Sequence, residues 1–359
     1  MNKRVIIFNW MDIRNPNSGG QEKYCFEIGK RLARDGMKVY WIASKFKNCL
    51  SREVIENIEI LRTGNIYTVF LTAIFKYIKY KKNSYLIISI NSIPFFLPFT
   101  RNKRLVVLYH RIDLKIMLEK IGLLGYLSYL LQEHLNPIIY HNDHIITNSP
   151  SSKRDFEAIG YNKISIVKLG IDFPDNYNFK KKNLCVSPGP IKPWKHHDLV
   201  LRAFSRMLPS WELAIFGSVE SIELEKKLSA ICRDLGISDR VHFFGRISDD
   251  EVKALYSQAS ICIIGSEKEG WGLVAMEAES YGCPIVAFNV PGIRDSVING
   301  DTGVLVKFGD VSSMADALNA LSSNREKLKV MGNNAITRSK EYSWEESYTE
   351  FMQEFKKIF

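Results

Sequence analysis

The sequence lacks the motifs that mark several common nucleotide-binding proteins. No Gly-x-Gly-x-x-Gly follows the opening apolar strand, so the standard dinucleotide fingerprint is absent. Gly265 and Gly270 have P-loop spacing, but Trp271 occupies the position of the phosphate-binding lysine. The chain has no Asp-x-Asp pair, which argues against a metal-bridged diphosphate, and no Cys-x-x-Cys pair. Its six cysteines are therefore expected to be small buried side chains in a reducing compartment.

Long apolar runs are also missing. No run reaches the length needed to span a bilayer, and the apolar start of the chain is soon followed by Asp12 and Arg14. We therefore interpret the start as a buried first strand. The chain has 359 residues, which is long for one hydrophobic core and comfortable for two domains.

Negative charge is scarce in the first half of the chain. Residues 1–176 contain 26 lysine and arginine residues against 15 acidic ones, whereas residues 177–359 contain 23 against 24. A basic half of this kind attracts anionic partners such as a phospholipid surface or a phosphate-bearing substrate. A solubilising lysine-rich surface is the alternative. No stacking platform or groove-reading motif is present, so we do not expect a nucleic acid partner.

Strand-like and helical segments alternate along both halves. Such alternation predicts right-handed crossovers, parallel sheets and two doubly wound α/β domains, with ligands beyond the carboxyl ends of the strands. The expected domains are residues 1–176 and 183–340, joined by a polar linker, with a C-terminal helix over 343–359 that packs on the first domain. The predicted strands are Val5–Phe8, Val39–Ala43, Leu86–Ile90, Leu105–Tyr109, Ile145–Thr147, Ser165–Lys168, Leu184–Ser187, Leu213–Phe216, Val241–Phe244, Ile261–Ile264, Ile285–Phe288 and Val304–Val306.

Residues 265–284, GSEKEGWGLVAMEAESYGCP, form the most informative stretch. A predicted strand ends at its first glycine, a polar turn follows, and a helix begins near Gly272. The first amides of that helix have no partner within it and are a ready anion site. Glu269 at the mouth can accept hydrogen bonds from hydroxyls, and Glu277 can hold two vicinal hydroxyls. An anion between two polyol-binding carboxylates describes a sugar, a diphosphate and a ribose. A solvent-facing Glu277 with a helix-capping Glu269 is the alternative.

Residues 266–309 resemble the signature of the retaining glycosyltransferase family four, which has the GT-B fold. The resemblance rests on Ser266, Glu269, Gly270, Trp271, Gly272, Leu273, Val274, Glu277, Ala278, Gly282, Pro284 and Val286. It implies two Rossmann-like domains that face a cleft, with the C-terminal helix crossing back to the first. It also assigns Glu277 to the ribose of a nucleoside diphosphate sugar, Glu269 to the transferred sugar, and the helix N-terminus to the diphosphate.

Further residues extend the resemblance over almost the whole chain. Gly19 and Gly20 resemble the family's glycine loop near the diphosphate, and Phe244 to Ile247 resemble the turn that meets the base, which includes Arg246. Lys195 stands at the family's phosphate-clamping lysine, while Pro190 replaces the expected arginine and Lys192 is the nearest substitute. His110 follows a predicted strand at its carboxyl end, where the family places a histidine beside the sugar. A surface histidine that caps a turn is the alternative.

Two apolar segments of the basic half carry lysines. In residues 65–82 one apolar side is paired with Lys76, Lys79, Lys81 and Lys82, and residues 114–135 are flanked by Lys115 and Lys120. Each segment is either an interfacial helix on an anionic leaflet or a core helix packed on the sheet. The histidines at 134, 141 and 144 lack a completing carboxylate or cysteine, so no metal site is expected.

The sequence thus predicts a metal-independent enzyme that moves a mannose- or glucose-like hexose from a nucleoside diphosphate sugar to a glycan or lipid-linked acceptor. Retention of configuration is implied by the resemblance. The expected catalytic residues are His110, Lys195 and Glu269, with no cofactor besides the sugar nucleotide as co-substrate. The expected location is the cytoplasm, including the inner face of the cell membrane. A phosphorolytic or sugar-phosphate enzyme of the same fold, or a non-catalytic sugar-nucleotide-binding module, is the alternative.

Overall fold

The computed structural model describes residues 3–90, 93–95, 104–108, 114, 117–118, 122–177 and 179–359. The chain forms two compact units. The first comprises Met1–Gly170 together with Trp344–Phe359, and the second comprises Ile171–Ser343. No helix among the described residues combines the length and the apolar character needed to cross a bilayer.

The first unit is built on a sheet whose described strands run in the order β3-β4-β2-β1-β5-β6-β7-β8. All neighbours are parallel except β3, which pairs antiparallel with β4. This hairpin is absent from the sequence prediction, since its Glu56-Asn57 turn lacks glycine although both residues have positive φ, 48° and 62°. The strands are β1 (Arg4–Phe8), β2 (Lys38–Ala43), β3 (Arg52–Ile55), β4 (Ile58–Arg62), β5 (Ser84–Ile90), β6 (Arg104–Leu108), β7 (His144–Thr147) and β8 (Ile164–Ile166).

Several helices of the first unit contribute buried apolar side chains to the core on this sheet, among them Phe70, Tyr77, Tyr140 and Phe156. The first helix begins at Gly20, and Gly19, the other residue of the glycine pair, is its N-cap. A π-helical turn, Leu131–Leu135, joins two of the others. The described helices are α1 (Gly20–Arg34), α2 (Val69–Tyr80), α3 (Leu123–Leu130), α4 (Asn136–Tyr140) and α5 (Pro150–Glu157).

The C-terminal helix, Trp344–Ile358, belongs to the first unit. Its aromatic face is buried, and Phe351 is fully inaccessible. Gly170 accommodates it, because a Cβ there would lie 2.4 Å from the ring of Trp344. The Ser347 hydroxyl donates to the Lys168 carbonyl at 2.6 Å, and the Glu350 carboxylate accepts from the Lys168 amide at 2.8 Å. Apolar burial and these hydrogen bonds together hold the helix on the unit from which the chain departed at residue 170.

The second unit is a parallel sheet in the order β11-β10-β9-β12-β13-β14. The chain winds outward from β9 in one direction and then from β12 in the other, so the topological switch lies between these two strands. The strands are β9 (Leu184–Pro188), β10 (Glu212–Phe216), β11 (Val241–Gly245), β12 (Ile261–Ile264), β13 (Ile285–Phe288) and β14 (Gly303–Val306). The helices are α6 (His197–Phe204), α7 (Ile222–Asp234), α8 (Asp249–Gln258), α9 (Leu273–Ser280), α10 (Ile293–Ser296), α11 (Val311–Ser322) and α12 (Arg325–Ser339).

The expected linker near residues 176–183 is anchored in the second unit. Within it, the Lys181 ammonium donates to the backbone carbonyls of Ala259 and Tyr281, both at 2.6 Å, and of Tyr256 at 3.2 Å. The ring of Phe179 packs against the core of the same unit. The contacts place the division at residues 170 and 171 rather than at 176. Lys181, in a run of three lysines, is part-buried and hydrogen-bonded to three carbonyls of the second unit.

Candidate functional site

The loops that leave the carboxyl ends of β9, β10 and β12 meet at the topological switch of the second unit, where doubly wound sheets bind ligands. Glycines allow this close approach. Gly217 has a φ of +141°, and a Cβ there would lie 2.2 Å from the carbonyl oxygen of Gly189. A Cβ on Gly265 would lie 2.7 Å from the carbonyl oxygen of His196. The backbones of the three loops are therefore packed closely at this edge.

Lys195 and Glu269 form an ion pair at this edge. Lys195 ends a short 3₁₀ turn, Pro193–Lys195, that follows β9, and Glu269 lies in the loop after β12. The Ser266 hydroxyl donates to the same carboxylate oxygen of Glu269 at 2.6 Å. The side chains of the pair are only 12% and 17% exposed. A partly desolvated cation and a carboxylate are thus brought together from positions 74 residues apart.

The backbone of the Glu269 loop is held by the loop that follows the neighbouring strand, β13. The Glu269 amide donates to the Pro291 carbonyl at 3.1 Å. Gly292 has a φ of +84°, and a Cβ on it would lie 2.2 Å from the carbonyl oxygen of Glu269. The Glu267 amide donates to the Trp194 carbonyl at 3.0 Å, which ties the two site loops to each other. These contacts fix the backbone of the two loops that carry Lys195 and Glu269.

Helix α9 begins at the same loop. Its N-cap, Gly272, adopts the left-handed conformation and has no side chain to cap the helix, and its first turn has no acidic residue. The amides of Leu273 and Val274 have no partner within the helix by geometry, and the macrodipole adds partial positive charge. Glu277 lies about one turn further on and is half-buried. The helix thus presents amides that have no partner within it, followed by a carboxylate.

The remaining predicted donor residues occupy different surroundings. Lys192 is half-buried, with its ammonium 5.1 Å from the ring centre of Trp194. Arg246 and Ile247 follow β11 after Gly245, which has a φ of +63°, and the Arg246 side chain is exposed. Trp271 is 5% exposed and packs against Tyr342, so its indole fills the interior. The Trp271 side chain is therefore not available to a ligand at this loop.

Gly19 and Gly20 lie in the first unit at the start of α1. Glu22 accepts a hydrogen bond from the Gly19 amide at 2.9 Å and is 3% exposed. Burial raises the pKa of the Glu22 carboxyl, while the Gly19 amide opposes that rise. The buried Glu22 side chain therefore fixes the backbone of the glycine loop at Gly19. His110 lies outside the described residues.

The histidines at 134, 141 and 144 do not converge. His144 places its Nε2 2.9 Å from the Glu354 carboxylate of the C-terminal helix, and the Nδ1 of His141 lies 3.0 Å from the Ile138 carbonyl. Within the described part of the chain, no three His, Cys, Asp or Glu side chains are grouped to hold a metal ion.

His197 is a further titratable residue, two positions after Lys195 of the ion pair, and the sequence analysis did not identify it. It is 3% exposed at the start of α6, and its Nδ1 has no partner among the described residues. Burial, followed by the charges of Lys195 and His196, lowers the pKa of His197 to about 3. The imidazole is neutral at physiological pH, so Lys195 rather than His197 supplies positive charge at this point.

Glu279 is a buried carboxylate that the sequence analysis also missed. It is fully inaccessible, and neither carboxylate oxygen has a hydrogen-bond partner of normal geometry in the described residues. Two residues along a helix correspond to a rotation of about 200°, so a site-facing Glu277 directs Glu279 to the core. Burial raises the pKa of Glu279 to about 8, against the opposing effects of Thr302 and Arg338.

Glu279→Gln should make the stability of the protein less dependent on pH. The folded protein holds a proton on Glu279 up to about pH 8, whereas the unfolded chain releases it near pH 4.5. Stability from this group is therefore present below pH 4.5 and is lost as the pH rises through 8. At alkaline pH the variant should be more stable by on the order of 2–4 kcal/mol, with little difference in acid. Urea-unfolding midpoints of the wild type and Glu279→Gln, measured from pH 4 to pH 9, test this, with a substitution of the exposed Glu326, Glu326→Gln, as control. Midpoints of the two proteins that change with pH in parallel would contradict the prediction.

Two family models match the chain. The Glycosyltransferase Family 4 model matches residues 18–173, and the Glycosyl transferases group 1 model matches residues 171–338. Both units are thus accounted for, and the chain belongs to glycosyltransferase family 4. The family resemblance noted in the sequence is confirmed.

Individual similar proteins agree with this assignment. A D-inositol 3-phosphate glycosyltransferase of Nocardia farcinica is 29% identical over 247 residues, which are 61% of this chain and 55% of that protein. The chain spans about half or less of the length of the first curated relatives it matches. Among solved structures, sucrose-phosphate synthase of Thermosynechococcus elongatus has a TM-score of 0.83 at 18% identity, covering 100% of this chain and 99% of that one. Anabaena HepE in complex with UDP and glucose has a TM-score of 0.78 at 16% identity, covering 99% and 100%. These similarities confirm the expected GT-B fold.

Proposed function

We propose that the protein transfers a hexose from a nucleoside diphosphate sugar to a glycan or lipid-linked acceptor, with retention of configuration at the anomeric carbon. The observation that carries the proposal is the Lys195–Glu269 ion pair beside the N-terminus of α9, at the topological switch of the second sheet. The cation and the first amides of α9 suit a diphosphate. The two carboxylates suit the hydroxyl-bearing rings on either side of it.

Each group has a separate role in this proposal. The amides of Gly272, Leu273 and Val274 receive the diphosphate, and Lys195 supplies the cation that stabilises its developing charge. Glu277 accepts hydrogen bonds from two ribose hydroxyls, and Glu269 accepts from the transferred sugar. Since Glu269 already holds Lys195, a bound diphosphate draws the ammonium toward itself and frees carboxylate capacity for the sugar hydroxyls. Lys192 replaces the family arginine that Pro190 displaces.

The transfer itself breaks the bond between the anomeric carbon and the diphosphate oxygen and forms a bond from the acceptor oxygen to the same face of that carbon. The acceptor hydroxyl gives its proton to the departing diphosphate. The protein contributes positioning and stabilisation of leaving-group charge. The charges provided by Lys195 and the helix N-terminus make a resident metal unnecessary, and the sugar nucleotide is the sole co-substrate.

The relatives guide the choice of donor and acceptor. The Anabaena structure contains UDP and glucose, and the Nocardia relative is named for glycosyl transfer to an inositol phosphate. UDP-glucose is therefore the first donor to test, with GDP-mannose second. The basic first half favours an acceptor with anionic groups or one embedded in an anionic membrane, and hence a location at the inner face of the cell membrane.

Release of nucleoside diphosphate from these donors tests the function. We expect slow hydrolysis without acceptor, unaffected by EDTA, because side chains and helix amides rather than a metal ion stabilise the diphosphate. Complete loss of turnover on chelation, restored by magnesium or manganese, would contradict metal independence.

The same assay separates the alternatives. Sugar phosphate formed only with added inorganic phosphate would indicate a phosphorolytic enzyme, which the missing arginine at Pro190 keeps open. Donor binding without release under every condition would indicate a binding module. Release that continues without phosphate supports the transferase.

A further inference from the structure

Helix α2 of the first unit is apolar on two faces. The sequence left open whether its apolar stripe meets a membrane or the sheet, and Val69, Phe70, Ala73 and Tyr77 of that stripe are buried. Apolar spacing identifies a stripe but does not say which of two stripes meets the sheet. The structure leaves the other stripe outside.

The outer stripe consists of Leu71, Phe75 and Ile78, which are 58%, 75% and 55% exposed. They lie at helical spacing of four and three residues, so they form one continuous ridge. The opposite face is fixed in the core, so the helix cannot rotate to bury this ridge within the described part of the unit. Contiguous exposed side chains of this size mark an interaction surface rather than scattered surface residues.

The residues that surround the ridge in the sequence carry charge of one sign. Between Glu59 and Asp113 the sequence contains nine lysine and arginine residues and no acidic residue. Four of the nine, Lys76, Lys79, Lys81 and Lys82, lie on α2 or directly after it, and the last three are exposed. An apolar ridge on a helix that carries lysines and no acidic residue matches the chemistry of an anionic phospholipid surface, with acyl chains below and phosphates above.

Another helix of the same unit also exposes apolar side chains. Helix α3 has no charged residue, and Leu123, Leu124 and Leu127 are 76%, 57% and 51% exposed. Aliphatic side chains on a helix without charges are costly in water and favourable in a lipid interface.

We propose that α2 is an interfacial helix that lies in the plane of an anionic leaflet, with Leu71, Phe75 and Ile78 inserted among the lipids. The helix has 12 residues, which give a length of about 18 Å, too short for a hydrocarbon core of about 30 Å. It therefore lies on the membrane. This inference deepens the proposed function, since it names the surface on which a lipid-linked acceptor is met.

A second copy of the chain is a poorer occupant of this surface. In a symmetric dimer the same patch meets itself, so the lysines around one ridge would face those around the other. Such like-charge apposition is unfavourable, whereas anionic lipid neutralises the same lysines. Charge thus decides in favour of the leaflet.

Co-sedimentation with vesicles tests the ridge. The full chain should bind phosphatidylcholine vesicles that contain phosphatidylglycerol, and pure phosphatidylcholine vesicles much less. The triple variant Leu71→Gln, Phe75→Gln, Ile78→Gln should bind on the order of 100-fold more weakly, because three apolar side chains no longer enter the lipid. The matched control is Leu208→Gln, Ile222→Gln, Val330→Gln in the second unit, where exposures are 51%, 65% and 50%; it should bind like the wild type.

A second pair of variants tests the charge. Lys76, Lys79, Lys81 and Lys82 changed together to Gln should weaken vesicle binding on the order of 100-fold at low salt and reduce its salt dependence. The control changes four exposed lysines of the second unit, Lys226, Lys227, Lys327 and Lys329, to Gln. Both variants lower the net charge equally, so a larger loss in the first assigns the effect to α2.

Donor release measured on the same proteins separates this inference from the proposed function. All four variants should keep wild-type donor release. Wild type that releases nucleoside diphosphate but ignores anionic vesicles at low salt would overturn the membrane inference alone. Vesicle binding without any donor turnover would overturn the transferase alone. A ridge variant that loses self-association while the wild type ignores vesicles would assign the ridge to a dimer and overturn the inference.

Discussion

Lys195→Ala should lower kcat for donor turnover on the order of 100- to 1000-fold, with a much smaller change in KM. In the proposed transfer, negative charge grows on the diphosphate as the glycosidic bond breaks, so a cation at that point stabilises the transition state more than the bound donor. The Lys195 side chain is only 12% exposed, so the field of its charge is less screened than that of a surface lysine. Steady-state release of nucleoside diphosphate measures both constants.

Two further variants control for indirect effects. Lys182→Ala removes an exposed lysine at the amino end of the same strand, β9, and should leave both constants unchanged. Lys195→Ala also leaves the half-buried Glu269 without its cation, so Lys195→Ala combined with Glu269→Gln shows how much of the loss comes from that stranded carboxylate. An unchanged kcat in Lys195→Ala would remove this lysine from the mechanism.

The alternation of strands and helices was sufficient to predict the fold. Each strand predicted in the second half corresponds to one of β9 to β14, because buried parallel strands are short apolar runs bounded by turns. The β3–β4 hairpin was missed, since its exposed edge strand mixes charged and apolar residues and its turn lacks glycine. Helix α12 was missed as well; its apolar residues are few, and it is held by contacts such as Gly332 against Gly282 that no local pattern reveals.

The candidate site was only partly predictable. The loop and helix at residues 265–284 are contiguous, so their residue types and spacing indicated an anion site with two carboxylates. The ion pair between Lys195 and Glu269 depends on two strands meeting at the centre of a sheet, which is a tertiary contact. The burial of Glu279 and His197 likewise depends on which side of a helix faces the core, and a short helix with apolar residues on every side does not specify this.

The second large effect concerns Glu277, and it tests the central claim that the second unit binds a nucleoside diphosphate through its ribose and phosphates. Glu277→Gln should weaken binding of the nucleotide about 5- to 150-fold, equivalent to about 1–3 kcal/mol. The carboxylate offers one acceptor oxygen to each of two ribose hydroxyls, whereas the amide keeps one acceptor and places an N–H donor against the other hydroxyl. Glu279→Gln is the matched control, the same substitution two residues along the same helix but directed into the core, and it should bind like the wild type.

The most direct measurement is a calorimetric titration of UDP and GDP into the wild type, Glu277→Gln and Glu279→Gln in the presence of EDTA. The account predicts that at least one of the two nucleotides binds the wild type without metal, that Glu279→Gln retains this affinity, and that Glu277→Gln loses it within the range given. Equal affinities in all three proteins, or no binding of either nucleotide to the wild type, would contradict the assignment of the site.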